Sequence, residues 1–244
     1  MSLPTDQQPP SDPPWGVAST IAWTLTALLL GVVAATVSFG MWLGDAPRPS
    51  SFVNDGVVVA FGILASMPAQ VALLVFAAQL RRWPPVIYLG LVIPRRAEVI
   101  IAAVCVIVLC IAFDAILYVT GRDLVAPFQV EVWRTAAAAG WLAGLLAAIV
   151  VIAPIGEEII FRGFLFRGLA KPGWEIHAIG VIALAWALLH IQYDVLGMAQ
   201  VFLVGLMLGW FRWVSGSTVL TIGMHMLINL LSMIETWIKV EYFS

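Results

Sequence analysis

The sequence predicts an all-α, polytopic transmembrane helix bundle, and three observations carry the prediction. Apolar residues make up 62% of the chain and charged residues only 11%, whereas soluble domains carry about 25% charged residues. The apolar residues fall in runs long enough to cross a hydrocarbon core about 30 Å thick. The few cations between the runs gather in alternate loops, the asymmetry that orients helices in a bilayer. The formal net charge of -2 says little, because in a membrane protein the placement of charge matters more than its sum, and it offers no basic surface for nucleic acid.

Taken in order, residues 1–16 are rich in Pro, Ser, Gln and Asp without apolar periodicity, the composition of a disordered tail. No Lys or Arg precedes Arg48, so the first apolar run lacks the basic flank of a signal peptide. Val17–Leu43 and Phe52–Leu80 read as two spans, forming an N-terminal pair over 17–82. Residues 83–98 carry three prolines between two Arg pairs, Arg81-Arg82 and Arg95-Arg96. Their apolar stretch is too short to cross, so Ile87 to Leu91 is expected to lie in the interface or as a re-entrant segment.

The core, 99–240, supplies five further spans: about Val99–Tyr118, Ala136–Phe166, His177–Ile191, Leu196–Val214 and Thr218–Val240, with a short tail over 241–244. The total is about seven spans. Arg81, Arg82, Arg95 and Arg96, then Arg167 and Lys171, then Arg212 share one side under this count. The positive-inside rule makes that side, and the N-terminus, cytoplasmic. Cys105 and Cys110 sit five apart in one run, on different helix faces, and are expected to be packing residues rather than a disulfide or metal pair.

Glu157, Glu158 and Arg162 interrupt otherwise hydrocarbon-soluble sequence. Each ionisable side chain placed in a membrane costs about 2.5–3.5 kcal/mol on insertion scales, which makes it a functional candidate. Asp114, His190, His225 and Asn229 are the other polar groups inside spans. At 1.5 Å rise per residue, Glu157, His190 and His225 with Asn229 lie at about 15, 20 and 12–18 Å from the basic side. Three helices therefore bring polar groups to one depth. Glu158 and Arg162 are four apart, the spacing of an ion pair on one helix face, whereas Glu157 points about 100° away and is left free. Trp186 with His190, and His225 with Asn229, are also pairs four apart. A free glutamate with two histidines suits hydrolysis, the carboxylate taking a proton from water and returning it to the leaving group. His and Asn can orient that water or hold an oxyanion. Asp114 is a polar contact without an assigned partner, His177 an interfacial residue, and Gly163 and Gly168 sites of close helix packing.

At these residues the chain resembles the CAAX prenyl protease and bacteriocin-processing proteins, the Abi family of intramembrane proteases. Glu157, Glu158 and Arg162 match its first motif, Trp186 and His190 its second, and His225 and Asn229 its third. The three occur in order, and the resemblance runs from about Tyr88 to Leu231. It implies an intramembrane endopeptidase with a cavity open to the cytoplasm. Glu157 with His190 would activate water, and His225 with Asn229 would stabilise the oxyanion, with Glu158, Arg162 and Trp186 in support. A metal-free glutamate mechanism is favoured, the alternative being zinc on Glu157, His190 and His225.

The expected substrate is a membrane-bound peptide or protein, and the expected setting a bacterial plasma membrane. Oligomeric state is left open. Two other readings stand beside this one: a non-catalytic scaffold binding another membrane protein, and a small proton-coupled transporter using the same glutamate and histidines.

Overall fold

The computed structural model describes residues 14–44 and 54–243. Nearly all of the expected N-terminal tail, and the loop with Arg48, lie outside the described residues. Within them the chain forms helices α1 (Val17–Leu43), α2 (Gly56–Leu80), α3 (Pro85–Tyr88), α4 (Arg96–Val119) and α5 (Pro127–Ala138). They continue as α6 (Leu142–Leu169), α7 (Glu175–Leu188), α8 (Val195–Ser215) and α9 (Thr218–Tyr242). Six of these, α1, α2, α4, α6, α8 and α9, are long and apolar enough to cross a membrane. Leu25, Leu29 and Val32 on α1, and Ile100, Ile107 and Ile111 on α4, are exposed, as lipid-facing positions require. The all-α polytopic bundle is what the structure contains.

The spans differ from expectation in two places. The fifth, α7, has 14 residues and rises only about 21 Å, so it stops within the hydrocarbon layer and the chain continues as a loop to Val195. The expected start of the fourth span at Ala136 belongs instead to α5. Gly140, with φ +73, breaks the chain between α5 and α6 in a conformation that favours glycine. The segment 83–98, expected to be interfacial or re-entrant, is anchored to the bundle. Tyr88 and Leu89 are fully buried, because the segment turns inward and docks on the start of α9. There Thr218 donates through Oγ1 to the Leu89 carbonyl at 2.6 Å and through its backbone N–H to the Gly90 carbonyl at 2.8 Å. Ser217 Oγ donates to the Val92 carbonyl at 2.6 Å.

These contacts gather the basic loops at one end of the bundle. Arg167 stacks over the Trp83 ring at 4.7 Å, and Arg212 donates to the Arg162 carbonyl at 2.9 Å. Two cations at the other end are held by carboxylates, Arg122 by Asp194 and Lys239 by Asp123.

Small residues allow the close approaches. Gly163 faces the Leu89 carbonyl and Gly168 faces Thr20, the packing roles expected of them. Along α8, Gly205 and Gly209 are four apart and receive α7, where an added Cβ would stand 2.9 Å from Ala183 Cβ and from Ile179, respectively. Helices in lipid associate through such contacts because apolar burial offers no preference over lipid. Gly205→Val is expected to lower stability by about 1–3 kcal/mol through overpacking, read as an earlier unfolding transition in detergent.

Candidate active site

Helix α6 carries Glu157 and Glu158 in a short α-helical stretch, Ala153–Glu158, between two π-helical turns, Ala147–Ile152 and Ile159–Leu165. Such wide turns recur at functional sites because they rotate neighbouring side chains out of the ordinary helical register. The two carboxylates separate as the spacing predicts. Glu158 is fully buried, and its Oε1 accepts from Arg162 Nη1 at 2.9 Å. Arg162 is itself buried, donates to the Gly205 carbonyl at 3.3 Å, and lies over the Trp186 ring at 4.6 Å.

The same Glu158 Oε1 lies 3.0 Å from His225 Nδ1. The spacing argument turned both histidines toward Glu157; the structure assigns His225 to Glu158. Glu158 therefore does more than neutralise an arginine, since it also sets the orientation of the His225 ring.

Glu157 turns the other way, into a cavity, and its Oε2 accepts from Trp186 Nε1 at 2.7 Å. The indole is the centre of the arrangement. Its ring meets His190 edge-on at 4.9 Å between centroids and His225 at 5.3 Å. His190 lies just past the end of α7 rather than within it, and its Nδ1 is 2.9 Å from the Trp186 carbonyl. A carbonyl only accepts, so Nδ1–H donates in this contact and Nε2 is the ring nitrogen left for another partner. Asn229, one turn beyond His225, donates through Nδ2 to the Ile149 carbonyl at 2.8 Å. One of its two amide hydrogens is thereby used and the other remains.

Glu157, Trp186, His190, His225 and Asn229 all line one cavity. Asp114, without an assigned partner in the sequence, lines it too, together with Glu235 and Tyr193. Tyr193 stacks on His190 with ring centroids 6.3 Å apart. Burial, with the Glu157 carboxylate nearby, pushes its phenol up to about 12, so it stays an O–H donor. Sequence reasoning missed Tyr193 because it sits in the loop after α7 and follows no helical spacing. A polar aromatic three residues from His190 was the available signal.

Cys110 also lines the cavity, and Cys105 and Cys110 are both free thiols. Among the described residues no three His, Cys, Asp or Glu side chains converge as metal ligands. No step is derived through a metal.

The cavity's position departs from the expectation of a mouth on the basic side. Its lining runs from Glu157 and His225 through Asn229, Ser232 and Glu235 on α9, and to Phe128 and Gln129 on α5. All of that lies toward the end away from the basic loops. The open space lies on the side of these polar groups away from the basic loops.

A family model described as Rce1-like, type II CAAX prenyl endopeptidase, matches residues 139–231. No curated protein and no solved structure matches the chain. The matched stretch begins just before α6 and includes Glu157, Glu158, Arg162, Trp186, His190, His225 and Asn229. Over residues 139–231, the part that builds the site, this membrane-embedded chain is similar to the Rce1-like, type II CAAX prenyl endopeptidase family.

Proposed function

We propose that the protein is an intramembrane endopeptidase that hydrolyses a peptide bond of a membrane-associated peptide or protein without a metal. The observation that carries this reading is the Glu157 carboxylate, which faces the cavity on the Trp186 indole N–H, with His190 and His225 on the same ring. A scaffold would have no use for a cavity-facing carboxylate that shares the Trp186 ring with two histidines.

In the mechanism, water sits between Glu157 and His190 Nε2. Glu157 takes a proton from it while the oxygen adds to the carbonyl carbon, giving a tetrahedral oxyanion. Held by Glu158 at Nδ1, His225 faces that oxyanion with the unused Asn229 N–H beside it, and the two stabilise it. The C–N bond then breaks, and the proton passes from Glu157 to the leaving nitrogen. The products are a carboxylic acid and an amine. The family's name points to prenylated peptides as one substrate class, and a cavity bordered by lipid-facing helices suits any peptide with a membrane anchor.

The test is a comparison of membrane peptides in cells producing the wild-type protein and the Glu157→Gln variant. Accumulation of an uncleaved peptide with the variant supports the reading, and identical peptide profiles sink it. Trp186→Phe keeps the ring but removes the donor to Glu157. A hydrogen bond to a charged group contributes about 1.5–3 kcal/mol, so turnover of a membrane peptide by that purified variant should fall by about tenfold or more. The effect should appear in kcat rather than KM.

A further inference from the structure

We infer that the cavity takes its substrate from the extracytoplasmic side of the membrane, so that the bond cleaved belongs to a segment reaching the site from the outer face. The identity of the occupant as substrate rests on the peptidase reading; the side of access does not.

Three independent observations converge on this side. First, the cavity lies wholly on one side of Glu157. On α9 its lining runs from His225 out to Glu235, on α8 it stays within the first half from Gly197 to Val204, and on α4 it includes Cys110 and Asp114 near the end of the helix.

Second, the opposite end is closed. Leu89, Phe164 and Tyr88 are fully buried there, Thr218 clamps the Leu89 carbonyl, and Arg212 bonds the Arg162 carbonyl beneath the ion pair. A peptide entering from that end would have to displace all of these.

Third, the closed end is the basic one. Arg81, Arg82, Arg95, Arg96, Arg167, Lys171 and Arg212 belong to it, whereas the described residues of the other end include Arg122, Arg134 and Lys239, of which Arg122 and Lys239 are each bonded to an aspartate. Short loops rich in Lys and Arg stay in the cytoplasm because they resist translocation. The open end therefore faces outward. The shortness of α7 gives the opening its form, since the chain climbs from Leu188 to Val195 as a loop whose Gln192 and Tyr193 wall the cavity.

The experiment is thiol labelling with a membrane-impermeant maleimide. In full-length protein with Cys105→Ala and Cys110→Ala, single cysteines are placed by Gln192→Cys or Ser232→Cys in the cavity wall, and by Lys171→Cys in a basic loop. Labelling is compared between spheroplasts and inverted membrane vesicles. Gln192→Cys and Ser232→Cys should react in spheroplasts and not in inverted vesicles, and Lys171→Cys should show the reverse. Reaction of the cavity positions only from the side where Lys171→Cys reacts overturns the inference. So does reaction of Lys171→Cys in spheroplasts, or failure of both cavity positions to react from either side.

The same labelling is repeated with Glu157→Gln. That variant should label identically whether or not the wild-type protein cleaves peptides. Correct labelling without any peptide hydrolysis would therefore count against the peptidase reading alone.

Discussion

Replacing Glu157 with glutamine is expected to lower kcat for a membrane peptide by about 10³-fold, within the range of 10² to 10⁴ that a positioned acid–base group supplies. Glutamine keeps the shape of the side chain and can still meet the Trp186 N–H through its amide oxygen, so unfolding in detergent should be unchanged. Glu158→Gln offers the contrast. It removes the carboxylate that both Arg162 and His225 use, so it should reduce stability and turnover together. Equal loss of activity without loss of stability in both variants would contradict the division of labour between the two glutamates. Measuring initial rates and melting transitions on the same preparations separates the cases.

That division was legible before the structure, because it depends only on helical geometry. Glu158 and Arg162 meet four residues apart, and Glu157 is left to the cavity. Convergence of Glu157, His190 and His225 at one depth was legible for the same reason, since rise per residue is nearly constant. What spacing along one helix cannot supply is the partner across helices. His225 could have turned to either glutamate, and only the packing of α9 against α6 decides for Glu158. Likewise the inward fold of Leu89 depends on hydrogen bonds to Thr218 on α9, 129 residues away. Helix α5 escaped because Glu131 and Arg134 break its apolar pattern, while Gly140 marks its end only once its left-handed φ is known. The side on which the cavity opens was hidden for a further reason. Depth counts position along the bundle axis, whereas open space depends on which end the side chains of other helices fill.

Removing Arg162 should have the largest effect on stability. The guanidinium and the Glu158 carboxylate are both almost completely buried, and the pair is not fully satisfied, since Glu158 Oε2 and Arg162 Nε have no hydrogen-bond partner among the described residues. Such a pair adds little net stability compared with an apolar replacement of both members, yet breaking it leaves one charge stranded in a low dielectric. Arg162→Met is therefore expected to cost about 3–5 kcal/mol, enough to remove most folded protein from the membrane fraction. The double variant Arg162→Met with Glu158→Gln strands no charge and should recover a large part of that loss. Activity should not return with it, because His225 then has no carboxylate to hold Nδ1 and orient the ring. A double variant as unstable as Arg162→Met alone would show that Arg162 acts through its contacts with Gly205 and the Trp186 face rather than through charge. Recovery of folding without recovery of turnover would separate the two uses of Glu158, one in holding the bundle together and the other in orienting the histidine.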